Sequence, residues 1–214
     1  MKIIPFFACI IPFFSLAAVE STLPPPYDTA EILPFVDHGF YSNAEQIETL
    51  IKKRMVRTII EVGSWLGTST RHMASCLPEN GVVYAVDHWK GSSEHQPGAS
   101  AWIPEVEHLY EYFLSNVIQA GLAHKIIPVR MESVEAAKHL QMKVDLIYID
   151  ASHETKAVYA DLEAWYPHLK KHGVLCGDDW AWDSVQKAVK RFAKKNELRI
   201  KASGNFWRLK NKNA

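Results

Sequence analysis

The stretch that most narrows what this chain can fold into is Thr58–Arg71, TIIEVGSWLGTSTR. It reads as a buried strand over Thr58–Val62, a glycine turn, and a helix starting near Ser69. A short apolar run that ends in Gly suits the first strand of an open α/β sheet. Gly63 and Gly67 carry no Cβ, so the backbone can turn sharply and a ligand can approach it. Glu61 stands at the strand's carboxyl end, the edge where open α/β sheets bind ligands. The spacing is Glu-x-Gly-x-x-x-Gly. It is neither the Gly-x-Gly-x-x-Gly of dinucleotide binders nor a P-loop, which needs a Lys after its last Gly. A nucleotide-like ligand without a pyrophosphate is favoured, although an ordinary tight strand-to-helix turn would use the same glycines.

The flanking sequence repeats the strand–helix alternation. Asn43–Met55 has apolar residues at Ile47, Leu50, Ile51 and Met55, which is helical spacing, with Ser42 or Asn43 as N-cap. Ser69–Leu77 is the helix after the turn, stopped by Pro78 and Gly81. Val82–Asp87 is a second strand ending in an acid. Asp87 lies 26 residues after Glu61, near the offset at which a strand-end carboxylate meets a ribose; a solvated strand-end Asp is the plainer reading. His88–Pro104 is rich in Gly, Ser and Pro and reads as a lid. Trp89 and Trp102 either stack on a ligand or fasten that loop, with Trp102 the better anchor.

Further on, Glu105–Ala120 reads as a helix, Ile126–Arg130 as a strand, Ser133–Leu140 as a short helix and Asp145–Asp150 as a fourth strand. A helix follows over Glu154–Leu169, closed by Lys170-Lys171 and Gly173. Val174–Cys176 is a fifth strand, Asp183–Lys194 an amphipathic helix, and Arg199–Ala202 with Phe206–Leu209 a terminal hairpin across Ser203-Gly204-Asn205. Alternation of this kind predicts an α/β fold with a mostly parallel sheet, its last strand antiparallel.

The first residues follow a different rule. MKIIPFFACIIPFFSLAAVE has one positive charge, an apolar run and then small residues, the layout of a secretory signal peptide. Residues 1–18 are assigned to a signal peptide or a membrane anchor, with a chance resemblance as the third reading. Residues 19–42 form a Pro-rich linker and N-terminal segment in which Pro24, Pro25 and Pro26 read as stiff and extended, and the main domain runs over 43–214. Lys+Arg and Asp+Glu number 24 each, so no global field favours nucleic acid or an anionic membrane. Cys76 and Cys176 are too few for a disulfide framework.

Taken in order, EVGSWLGTST, VYAVDHW, DLIYIDASHETKAVYADLEAW and HGVLCGDDW resemble class I S-adenosylmethionine-dependent methyltransferases, and within them the macrocin-type and catechol-type O-methyltransferase families. The resemblance implies a Rossmann-like three-layer α/β sandwich with a seven-stranded, mostly parallel sheet and an antiparallel C-terminal hairpin strand. It places Glu61, Gly63 and Gly67 along the methionine end of the cofactor, Thr68 or Ser69 at its carboxylate, Asp87 at the ribose, and Glu132 and Ser133 at the adenine. Asp150, Asp178 and Asp179 fall at the ends of neighbouring strands. Clustered carboxylates with all-oxygen donors suit Mg²⁺ or another divalent cation, and the related metal-dependent enzymes use such a set; Asp179 alone could instead cap a helix. The implied reaction is methyl transfer to a hydroxylated small molecule, sugar-like or aromatic, with Asp150 in the catalytic set and His153 as general base. A non-catalytic S-adenosylmethionine-binding module and a nicotinamide-dependent dehydrogenase remain alternatives. Cofactor supply points to the cytoplasm and the leader to export or a membrane tether. Oligomeric state is not encoded in any of these patterns.

Overall fold

A computed structural model describes residues 23–39, 41–92, 95–99 and 102–211. The leader assignment over residues 1–18 lies outside the described residues. Among the described residues, no helix is long and apolar enough to cross a membrane.

Seven strands form one sheet in the order β3-β2-β1-β4-β5-β7-β6. β1 (Thr58–Val62) pairs in parallel with both β2 (Val82–Asp87) and β4 (Val144–Ile149). β3 (Ile126–Arg130) continues the parallel set beyond β2, and β5 (Leu169–Gly177) continues it beyond β4. β7 (Phe206–Asn211) runs antiparallel to β5 and to β6 (Leu198–Ser203). Strand order therefore reverses at β1 and β4, which opens a crevice at their carboxyl ends.

Both faces of the sheet are covered, which is why its central strands read as unbroken apolar runs rather than alternating ones. Ile59 of β1 and Leu146 and Tyr148 of β4 join α1 (Ala44–Arg54), α2 (Thr68–Cys76) and α3 (Leu109–Gln119) in one core. Ile60, Val62, Ile147 and Ile149 turn to the other face, against α4 (Ser133–His139), α5 (Thr155–Trp165) and α6 (Asp183–Lys195). The side-chain period of two along each strand produces this division.

Several boundaries differ from expectation for local reasons. The helix expected over Glu154–Leu169 stops at Trp165, because Pro167 lacks the N–H that another turn needs. Lys170, Lys171 and Gly173 do not cap it; they lie in β5, where the register against β4 shifts between Val144 and Leu146. Pro104–His108 is a 3₁₀ helix and α3 proper begins only at Leu109. Asn43 is the residue before α1, yet its side chain makes no cap and donates instead to the Tyr148 hydroxyl at 3.2 Å. The segment expected as a stiff linker is packed down: Tyr27 is buried and donates to the Ile126 carbonyl at 3.0 Å, and the Leu33 N–H donates to Ser115 Oγ at 2.8 Å. Trp102, expected as the loop's anchor, is 47% exposed, whereas Trp89 is 3% exposed and lies against Tyr110 and Phe113.

Candidate active site

A cavity of about 740 Å³ occupies the crevice at the carboxyl ends of β1, β2 and β4. Of the residues expected there, Gly63, Thr68, Ser69, Asp87, Glu132, Ser133, Asp150, His153 and Asp179 line it. Glu61, Gly67 and Asp178 do not.

Glu61 is fully buried beneath the glycine turn and accepts the hydroxyls of Ser64 at 2.9 Å, of Ser69 and of Thr70. Burial raises its carboxyl to about 7; the three hydroxyls pull the other way and nearby Asp87 adds to the rise. Glu61 therefore pins the turn to the start of α2 and does not line the cavity. Gly67 precedes α2 at φ +85°, and a Cβ there would come within 3.0 Å of the Phe113 ring. Its small size serves packing against α3. Gly63 has φ +92°, and a Cβ would lie 1.9 Å from the Asp150 carbonyl oxygen. No other residue permits the β1 and β4 ends to approach so closely.

Asp87 organises the next wall. Its Oδ2 accepts the Trp65 N–H at 2.9 Å and its Oδ1 the Trp89 N–H at 2.7 Å. Trp65 and Trp89 both have positive φ, 49° and 52°, a conformation that bulky residues rarely adopt. The Trp89 Nε1 closes the arrangement by donating to the Trp65 carbonyl at 2.7 Å. At the far end, Ser133 Oγ donates to Asp161 and accepts Trp165 Nε1 at 2.9 Å. Asp161 is 5% exposed, and burial raises its carboxyl to about 6. Glu132 is open to solvent, 3.8 Å from Lys90. The Thr68 hydroxyl donates to Asp37, which also takes Arg71 at 2.8 Å. Thr68 and Ser69 thus spend their hydroxyl protons on the protein's own carboxylates.

The opposite wall follows β4 and β5. Asp150 ends β4 beside the turn, and burial together with Asp178, Asp179 and Glu61 pushes its carboxyl well above the ordinary range. His153 Nε2 lies 3.0 Å from Asp179 Oδ2, and the ring stacks on Trp182 at 4.6 Å and 5°. Asp179 reaches His153 from a left-handed backbone, φ 62°, which Asp tolerates better than most residues. Asp178 turns inward instead: it is 4% exposed, accepting the Tyr148 hydroxyl at 3.0 Å and the Asp179 N–H at 2.7 Å. The expected three-carboxylate cation site is therefore not formed. Among the described residues, no three His, Cys, Asp or Glu side chains are arranged to hold a metal ion.

Residues 60–180 match a family described as a methyltransferase domain. The chain belongs to that family. The match removes the nicotinamide dehydrogenase alternative, as the glycine spacing already suggested. Solved structures of similar fold include the O-methyltransferase TomG from Streptomyces achromogenes in complex with SAM, 15% identical over 79% of this chain and 80% of that one, TM-score 0.62. An O-methyltransferase from Bacillus cereus in complex with SAH is 16% identical over 82% and 83%, TM-score 0.61. An SAH-bound methyltransferase from Podospora anserina is 12% identical over 81% and 80%, TM-score 0.61. The methyltransferase domain here has the seven-stranded Rossmann-like sheet expected, with its antiparallel C-terminal strands.

Among the cavity residues that escaped the sequence reading, Tyr41, Trp65 and Asp161 carry the most chemistry. Tyr41 came from a stretch read as linker; its hydroxyl meets His72 Nδ1 at 2.9 Å. Trp65 was hidden inside the glycine motif. Asp161 left one usable signal, an acid among the apolar positions Val158, Leu162 and Trp165 of α5.

Proposed function

We propose that this methyltransferase domain transfers a methyl group from S-adenosylmethionine to a hydroxyl of a small molecule. The observation that carries this reading is the single cavity that has Asp87 and the glycine turn on one wall and the His153–Asp179 pair on the other. Its volume lies in the range of cofactor sites. The close approach of Gly63 to Asp150 brings the two walls together.

S-adenosylmethionine, when bound, supplies a methyl group activated on a sulfonium sulfur. Asp87, with two lone-pair positions still available on its oxygens, accepts ribose hydroxyls. Backbone N–H groups at the start of α2 meet the methionyl carboxylate, since a helix N-terminus favours an anion. Ser133 and Asp161 face the base. On the acceptor side, His153 takes the hydroxyl proton as the oxygen–carbon bond forms and the carbon–sulfur bond breaks. Asp179 stabilises the imidazolium and holds the ring in place. Asp150, which retains a proton more readily than a free carboxylate, hydrogen-bonds the acceptor oxygen and orients it. Trp182, 52% exposed and stacked on His153, offers a flat face to a sugar-like or aromatic acceptor.

The test is transfer of labelled methyl from S-adenosylmethionine to a panel of hydroxylated sugars and catechols, using the parent chain and His153→Gln. Label in an acceptor, lost in the variant while cofactor binding persists, is the expected outcome. Cofactor binding with no labelled product across the panel would return the chain to the non-catalytic module.

A further inference from the structure

A second cavity, of about 330 Å³, lies at the other end of the sheet, where β5 and β7 part. The two strands pair only at Cys176↔Arg208 and Gly177↔Trp207. Leu169, Val174, Leu198 and Leu209 floor the resulting cleft. Its rim is cationic: Arg54, Lys170, Lys171, His172, Arg208 and Lys210. Lys170 meets Asp145 at 2.9 Å, and that carboxylate also accepts the N–H groups of Arg57 and Thr58. Arg54, Lys171, Arg208 and Lys210 have no acidic partner among the described residues. Lys210 is held below the ordinary lysine value chiefly by the charge of Arg208, with slight burial, Lys201 and Arg54 adding to it. Positive charge is thus gathered here with Asp145 as the one acidic partner among the described residues, in a chain whose formal net charge is zero.

The N-terminal segment reaches the same side of the sheet but at the β3 edge, four strands from β5. Tyr27 is tied to the carbonyl of Ile126, the first residue of β3. The amino ends of the parallel strands share that side with the cleft, and the candidate active site opens on the other. The sequence before residue 23 contains IIPFFACIIPFFSLAA, an apolar run without charge.

We propose that this cationic cleft is a docking site for the anionic headgroups of a phospholipid bilayer. An apolar floor under a cationic rim matches the junction between headgroup phosphate and acyl chain. Basic residues at a bilayer surface gain from its negative potential. Docking by this rim leaves the opposite cavity open to solvent.

The experiment is co-sedimentation of the full chain with vesicles of phosphatidylcholine alone and of phosphatidylcholine with phosphatidylglycerol. Binding to the anionic vesicles should be stronger by at least about 10-fold and should weaken as salt shortens the Debye length. Lys171→Glu with Lys210→Glu should remove that preference, with melting temperature and cofactor binding unchanged. Lys171→Gln, at an exposed position, gives a smaller loss of about 3- to 5-fold and serves if the double variant fails to fold. Equal binding to both vesicle types overturns the proposal, since the leader alone would insert without regard to charge. Parent-like binding by the charge variants does so too. A rise in melting temperature with millimolar inorganic phosphate, lost in the double variant without vesicles, would assign the cleft to a soluble phosphate and also overturn it.

Discussion

Trp65 donates its backbone N–H to Oδ2 of Asp87 at 2.9 Å across 22 positions of sequence. The second oxygen of the same carboxylate holds Trp89. One side chain therefore fixes two turns in left-handed conformations and faces the cavity as well. Asp87→Ala should remove both functions. Hydrogen bonds to a charged group contribute about 1.5–3 kcal/mol each, so a loss of about 3 kcal/mol in unfolding free energy and at least a tenfold weaker affinity for S-adenosylhomocysteine are expected. Denaturant unfolding and titration calorimetry measure the two effects separately. Asp87→Asn keeps one acceptor and should fall between.

Glu61 predicts a pH dependence of stability. Its carboxyl ionises near 4.5 when unfolded and near 7 in the fold. Between those values the folded chain holds a proton that the unfolded chain has released, so stability falls as pH rises through the interval. At about 1.4 kcal/mol per pH unit the fall is bounded at about 3 kcal/mol. Glu61→Gln should flatten this part of the profile and be the more stable protein at pH 8. Unfolding curves at pH 5 and pH 8 for both proteins check the sign; a parent more stable at the higher pH, with the variant flat, would show that Glu61 is ionised throughout.

Much of this was legible because it is repetitive. Apolar runs ending in Gly or Asp located β1, β2 and β4, and helical spacing located α1 and α6. What stayed hidden was direction. Glu61 and Asp178 end strands just as Asp87 and Asp150 do, yet Glu61 turns under the backbone to collect three hydroxyls and Asp178 turns inward to Tyr148. Sequence spacing places a carboxylate at a strand end, but its partners decide whether it faces ligand or core, and those come from distant parts of the chain. Lys170–Gly173 misled for the opposite reason. A basic pair followed by glycine is good helix-end chemistry, but Pro167 had already ended the helix and the same residues became a strand.

Gly63→Ala should be among the most damaging small substitutions. The new methyl carbon would sit 1.9 Å from the Asp150 carbonyl oxygen, on a backbone at φ +92°. Strain at such φ costs about 1–3 kcal/mol before the clash is counted, and both obstacles are backbone rather than a flexible side chain. A loss above about 3 kcal/mol, or failure to accumulate as folded protein, is expected in thermal unfolding. Gly67→Ala, at φ +85° but meeting only side chains, the Phe113 ring and Arg71 Nη1, should cost less.

His153 and Asp179 should separate catalysis from binding. Removing a positioned base lowers turnover by about 10²–10⁴-fold, so His153→Gln should depress kcat in that range and leave the dissociation constant for S-adenosylhomocysteine within about twofold. Asp179→Asn keeps the shape but loses the charge that stabilises the imidazolium, so a smaller fall in kcat is expected, with a displaced acid limb in its pH profile. Equal losses of cofactor affinity in both variants would mean that the pair shapes the cavity rather than moves a proton.

The response to chelator follows from where Asp178 points. A divalent cation at the ends of β4 and β5 needs several oxygens converging on one point. Asp178 gives one oxygen to the Tyr148 hydroxyl and the other to the Asp179 N–H, while Asp179 is committed to His153. Asp178 is 4% exposed and does not line the cavity that Asp150 and Asp179 face, so the three carboxylates do not converge on one point there. Turnover should therefore be unchanged within about twofold after treatment with EDTA and should not rise with added Mg²⁺. Asp178→Asn tests the same point structurally: the amide oxygen can still accept the Tyr148 hydroxyl but the NH2 cannot accept the Asp179 N–H, so some stability is lost while turnover in the folded variant should be largely retained. A collapse of activity in that variant, with folding intact and activity in the parent abolished by chelator, would establish a cation bound through a rearranged Asp178.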